Sequence, residues 1–128
     1  MRSVGILVLG ALALAACSKD NTEPAQPTIA NTTWTVAVTV TGNSSTQNIF
    51  EFNSGGSFAW RPAGAPSYTG TWTQTGQAVT FTFKETIATG GEYTWDNAGT
   101  LSADGTTLTG TMQRRGATGA GTFTATKL

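Results

Sequence analysis

The sequence predicts an all-β domain, an antiparallel meander of eight or nine short strands, and three observations support this prediction. Apolar residues recur at every second position from residue 31 onward, which is the spacing of strands with one buried face. The chain contains 26 threonines and few charges, and the β-branched threonine side chain suits the solvent side of a sheet. Glycine-rich turn signals separate the apolar runs, and no run after residue 30 has helical spacing.

The alternating runs place every aromatic side chain in one phase. The residues of this inner phase are Trp34, Val36, Val38, Val40, Phe50, Phe52, Phe58, Trp60, Tyr68, Gly70, Trp72, Val79, Phe81, Phe83, Tyr93, Trp95, Leu101, Leu108, Gly110, Met112, Phe123 and Ala125. The connections between the runs are short, which favours pairing of each strand with the next. A meander of this size protects its edges best by closing into an up-and-down barrel, with a two-sheet β-sandwich as the alternative.

One segment resembles a known family of barrels. Gly70-Thr71-Trp72, followed by Gly76 and the alternating run 79–83, is similar to the Gly-x-Trp strands of lipocalin and avidin-type proteins. The resemblance implies a small lipocalin-like barrel over residues 31–128 and no particular ligand. The first strand departs from the lipocalin pattern, because Thr32 stands where that family has the glycine two residues before Trp34.

The first 17 residues have the organisation of an export signal. Met1-Arg2-Ser3 is positively charged, and the 13 residues that follow are apolar or glycine. That run is too short to cross a hydrocarbon core, which needs about 20 helical residues, but it suits a signal peptide. It ends in Leu14-Ala15-Ala16-Cys17, which resembles the lipobox of bacterial lipoproteins. The resemblance implies cleavage between Ala16 and Cys17, diacylglycerol on the Cys17 thiol, and an acyl chain such as palmitate on the new amino group.

These features predict a lipid-anchored protein of the bacterial envelope. Two or three acyl chains on Cys17 would hold the protein firmly at a membrane, whereas a single chain binds only marginally. Ser18 follows the cysteine, and by resemblance to the enterobacterial sorting pattern this favours the outer membrane. The alternative is a plain secretory signal followed by a free thiol. The three segments are therefore the signal peptide (1–16), the lipidated cysteine with a disordered, polar and proline-containing tether (17–30), and the barrel (31–128).

Composition and charge exclude several classes of function. Without residues 1–16 the chain has six basic and seven acidic residues, and it lacks the clustered Lys and Arg of a nucleic-acid binding protein. It has no histidine, and its only cysteine is assigned to the lipid, so the commonest general base, thiol nucleophiles and thiolate metal sites are absent. We expect the carboxylates on the outer face or in turns, at Glu51, Glu85, Glu92, Asp96 and Asp104. We therefore expect that the protein is not an enzyme and that it holds no metal or cofactor.

The aromatic interior has two interpretations. In the first, the rings fill the core, and the domain is a non-catalytic binding or scaffold module that meets envelope proteins through its surface. In the second, a pocket at one mouth of the barrel carries a small hydrophobic ligand, such as a lipid or a sugar ring, in space left by Gly70, Gly110 and Ala125. The candidate pocket residues are Trp60, Trp72 and Trp95, with Gln74 as a polar anchor and Arg114 as a contact for an anionic head group.

Overall fold

The computed structural model describes residues 25–40, 42–116 and 120–128. Eight antiparallel strands pair in chain order, and the last pairs with the first, so the sheet closes into a barrel. The strands are β1 (Thr32–Val40), β2 (Asn43–Phe52), β3 (Ser57–Pro62), β4 (Tyr68–Thr75), β5 (Ala78–Thr86), β6 (Glu92–Leu101), β7 (Thr107–Arg114) and β8 (Ala120–Lys127). The predicted closed meander is confirmed. The signal peptide, Ala16, Cys17 and tether residues 18–24 lie outside the described residues.

The alternation read from the sequence matches the two faces of the sheet. All six phenylalanines are buried, as are Trp34 and Trp95, whereas the threonines of the alternate phase are mostly exposed. Three ion pairs join neighbouring strands at outer-phase positions: Glu51 with Arg61, Lys84 with Glu92, and Asp96 with Arg115. The outer positions predicted for Glu51, Glu92 and Asp96 are thus observed, while Glu85 differs and is described below.

Phenylalanine rings fill the centre of the barrel. The Phe50 ring centroid lies 5.3 to 5.6 Å from the ring centroids of Phe58, Phe81 and Phe123, at steep interplanar angles. Phe58 and Phe81 are closer still, with centroids 4.6 Å apart. The contacts of Phe50 are edge-to-face, which suits the quadrupoles of the rings, whereas Phe58 and Phe81 are tilted by 37°. At these separations no further ring fits between neighbouring rings. The middle of the barrel is therefore a packed core.

Two inner glycines bring neighbouring strands together and do not open a pocket. A Cβ atom at Gly70 would lie 1.7 Å from the carbonyl oxygen of Thr82, and one at Gly110 would lie 2.0 Å from that of Ala98. Any side chain at either position would overlap the backbone of the adjacent strand. The expectation that Gly70 and Gly110 leave space for a ligand is therefore wrong, because backbone occupies that space.

The chain before β1 seals one end of the barrel. Ile29 is fully buried in the core, although the sequence placed it in the tether. Its backbone N–H donates to Gln74 Oε1 (2.9 Å), and Gln74 Nε2 donates to the carbonyl oxygen of Pro27 (2.8 Å). The hydroxyl of Thr32 donates to the Ile29 carbonyl oxygen and accepts from Trp34 Nε1. We call residues 27–30 the strap, and the end of the barrel that it covers the sealed end.

We expect Trp34→Ala to lower the free energy of unfolding by about 3–5 kcal/mol, because it removes a fully buried indole from the core. Thermal unfolding followed by circular dichroism measures the change. Thr35→Ala, one residue along on the exposed face, is the matched control and should shift stability by less than about 0.5 kcal/mol. Equal melting temperatures for the two variants would contradict this placement of Trp34.

Candidate functional site

The two ends of the barrel differ in what covers them. The sealed end carries the strap and the connections 53–56, 76–77 and 102–106. The opposite end, which we call the open end, carries the connections after β1, β3, β5 and β7. Around its rim Trp60, Tyr68 and Arg114 are only partly buried, and 37% of Tyr93 is exposed. The candidate site therefore lies at the open end.

The structure divides the five predicted pocket residues between the two ends. Trp60, Trp95 and Arg114 lie near the open end, whereas Trp72 and Gln74 lie near the sealed end. Trp72 Nε1 donates to the carbonyl oxygen of Asn53 (2.9 Å), and the Gln74 side chain holds the strap. These five residues therefore do not form one pocket, and Gln74 serves as an anchor for the chain's own backbone.

Four rings form a continuous belt along the wall of the open end. Trp60 packs on Tyr68 and Phe83, with centroids 5.4 and 5.0 Å apart. Phe83 in turn stacks against Trp95, at 6.1 Å and an interplanar angle of 14°. Each ring limits the rotation of the next, so this belt is a rigid aromatic surface.

Glu85 faces the interior, so the outer position that we expected for it is wrong. It has the same phase in β5 as Phe83, and its Oε2 accepts a hydrogen bond from Trp95 Nε1 (2.8 Å). Burial, together with the negative charge of Glu85, raises the pKa of the Tyr68 hydroxyl above its ordinary value of 10.0. The period-two pattern contained this signal, because Glu85 continues the phase of the preceding phenylalanines.

Arg114 brings a positive charge to the same inner face. Its guanidinium carbon lies 4.3 Å from the centroid of the Tyr93 ring, a cation–π contact. Its Nε is buried and has no hydrogen-bond partner in the described structure, and the same holds for Oδ1 of the buried Asn97. Buried polar atoms of folded proteins nearly always have partners, so these two atoms could bind water or a ligand.

A β-bulge in β2 builds a polar cluster that the sequence analysis missed. Val36 pairs with Asn48 and Val38 with Ser45, so β2 has one extra residue between these pairs. Asn48 has the inner phase of the phenylalanines that follow it in β2, and the extra residue brings Ser45 to the inner face as well. Asn48 Nδ2 donates to Ser45 Oγ (3.0 Å), and Asn48 Oδ1 accepts from Trp60 Nε1 (3.2 Å). The buried Asn48 thereby fixes the orientation of the Trp60 indole.

Beside this cluster lies a groove of about 410 Å³ at the open end, which we call the Trp60 groove. Ligand sites of small molecules typically have roughly 300–1,000 Å³. Its apolar wall consists of Val38, Val40, Trp60 and Pro62. Its polar wall consists of Asn43, Ser44, Ser45 and Asn48. None of the residues that line the groove is charged.

Comparisons of the chain with family models, with curated proteins and with solved structures found no match. Within the described ranges, no three Cys, Asp or Glu side chains lie close enough together to hold a metal ion. No helix in the same part of the chain is long and apolar enough to cross a membrane. The geometry of the open end is therefore the feature that indicates a function.

We expect the ionisation of Tyr68 in the folded protein, followed by absorbance at 295 nm, to lie above the ordinary range of tyrosine, because burial and the charge of Glu85 disfavour its phenolate and raise its pKa. Tyr68→Phe should remove this step, and Glu85→Gln should move it to lower pH. Since the raised pKa keeps Tyr68 protonated in the fold after an unfolded chain has ionised, stability should fall as the pH rises above about 10. A Tyr68 step that stays at the same pH in Glu85→Gln would contradict the influence of the Glu85 charge on Tyr68.

Proposed function

We propose that the protein is a non-catalytic binding module of the bacterial envelope, lipid-anchored through Cys17, which binds a small molecule at the open end of its barrel. The observation that carries this proposal is the difference between the two ends. The strap closes one end with a buried isoleucine and a two-point contact to Gln74. The other end presents a rigid aromatic belt, the Trp60 groove, and Arg114, whose buried Nε has no hydrogen-bond partner among the described residues.

The position of the strap sets the direction in which the site would face. The chain enters the barrel at the sealed end, and Ala25 lies only eight positions after Cys17. Fully extended, eight residues span at most about 28 Å. An anchor on Cys17 therefore keeps the sealed end closer to the membrane, with the groove directed away from it. The ligand would then come from the aqueous side of the membrane.

The second candidate function is a carrier of a small hydrophobic ligand. The apolar wall of the groove favours it, since Val38, Val40 and Pro62 can cover an apolar surface. The rings of Phe50, Phe58 and Phe81 block the path from the groove into the middle of the barrel. A hydrophobic ligand would therefore have to be short enough to remain at the open end.

The lipid anchor is tested by metabolic labelling with a palmitate analogue in the native bacterium. We expect the wild-type chain to incorporate the label and Cys17→Ser to lose it, because the acylated thiol is then absent. Ser18→Ala is the control and should be labelled like the wild type. Label retained by Cys17→Ser would contradict the anchor.

Binding at the open end is tested by fluorine NMR of the full-length protein in phospholipid nanodiscs, with 5-fluorotryptophan at all four tryptophans. Single Trp→Phe variants assign the four resonances. A panel of neutral saccharides and of short amphiphiles (hexanol and hexanoate) is then titrated. We expect saturable shifts at Trp60, a smaller effect at Trp95, and constant resonances for Trp34 and Trp72. A panel in which no compound shifts Trp60 or Trp95 would contradict the proposed function.

A further inference from the structure

We infer that the Trp60 groove binds a neutral sugar ring, with one face of the ring against the Trp60 indole. This inference rests on the proposed function and specifies the class of ligand. A pyranose ring presents C–H groups on its faces and hydroxyl groups around its edge. A matching site needs an aromatic or aliphatic wall beside uncharged donors and acceptors, and the groove has both.

The indole of Trp60 is held in place before any ligand arrives. Its N–H is bound to Asn48 Oδ1, and its ring packs edge-on to Phe50 at 6.2 Å and against Phe83 at 5.0 Å. The side chain remains only partly buried, so it contributes exposed ring surface to the groove. Stacking of C–H groups on a fixed ring gains dispersion and weak C–H···π contacts without ordering the tryptophan on binding.

The polar wall can pair with hydroxyl groups in both directions. Ser45 Oγ accepts a hydrogen bond from Asn48 Nδ2, so its own proton is directed elsewhere and can be donated to a ligand. The Ser44 hydroxyl lies 3.2 Å from that of the outer-phase Thr39 and so points to the outer face, which leaves the other polar residues of the wall to pair with a ligand. Asn43 adds an amide, which offers a donor group and an acceptor. Sugar hydroxyls likewise donate and accept hydrogen bonds, so they can pair with both the donors and the acceptors of the polar wall.

The lining disfavours a charged head group and a long acyl chain. None of the residues that line the groove could neutralise a carboxylate or a phosphate, and an unpaired charge is costly to desolvate. Arg114, the inner cation of the open end, lies against Tyr93 and does not line this groove. An acyl chain would also need depth, which the phenylalanine cluster occupies. The ligand that fits this lining best is therefore an uncharged ring with many hydroxyl groups.

The test is the fluorine titration above, with methyl glycosides and disaccharides of glucose, galactose, mannose and N-acetylglucosamine. At least one saccharide should shift the Trp60 resonance saturably, with a dissociation constant on the order of 1 mM or below. Trp60→Ala should weaken that binding roughly tenfold or more, since it removes the central ring. Trp72→Ala, at the sealed end, is the matched control and should bind like the wild type. The remaining tryptophan resonances report whether each variant is folded.

A second pair of variants avoids any dependence on the folding of Trp60→Ala. Ser45→Ala removes a hydroxyl donor from the groove and should weaken saccharide binding several-fold, whereas Ser54→Ala, on the 53–56 connection, should have no effect. Shifts by hexanol or hexanoate alone would overturn the sugar inference and leave the binding module intact. No shift by any compound would overturn both, and a saccharide that shifts Trp72 instead of Trp60 would overturn the assignment to this groove.

Discussion

The structure depends on how phenylalanine rings fill the middle of a narrow barrel. Phe50 contacts Phe58, Phe81 and Phe123 edge-to-face, and these rings come from β2, β3, β5 and β8. An eight-stranded barrel is only just wide enough for side chains to fill, so a few large rings suffice. Their burial is the principal favourable contribution in a small domain whose ordering costs much conformational entropy. The same packing separates the barrel into two ends that have no path between them.

Once the middle is filled, each end takes on its own role. At the sealed end, backbone groups that would otherwise be orphaned are satisfied by the Gln74 side chain, and Ile29 completes the apolar core. At the open end the core gives way to Glu85, Asn48 and Arg114, polar side chains on inner-phase positions beside Trp60 and Trp95. Ordinary folding would favour apolar residues there. Polar groups at inner positions, partly without partners, are more typical of a binding site than of a core.

The proposed sugar site and the proposed anchor are consistent with one geometry. With the proposed lipid on Cys17, a chain that enters at the sealed end would keep that end toward the membrane, and the shallow groove at the far end would be accessible to hydrophilic ligands. A deep apolar carrier would need an empty interior, which the rings of Phe58 and Phe81 exclude. The exterior of the barrel is covered mainly by threonine and carries few charged residues. Most of these charged residues belong to the three cross-strand ion pairs.

The sequence by itself determined the antiparallel meander, because period two and turn glycines are local properties that fix which face of each strand is buried. The pairing of β8 with β1, which closes the barrel, is seen only in the tertiary structure. The same phase could have placed Glu85 inside, since it follows Phe83 by two positions. Three other features required the tertiary structure. The bulge in β2 appears only when Val36 and Val38 are paired with Asn48 and Ser45, and it brings Ser45 to the inner face beside Asn48. The hydrogen bond between Ile29 and Gln74 joins residues that are 45 positions apart in the chain. The directions of the strands place the predicted pocket residues at two different ends of the barrel. Contacts between distant strands decide these features, and no local pattern encodes them.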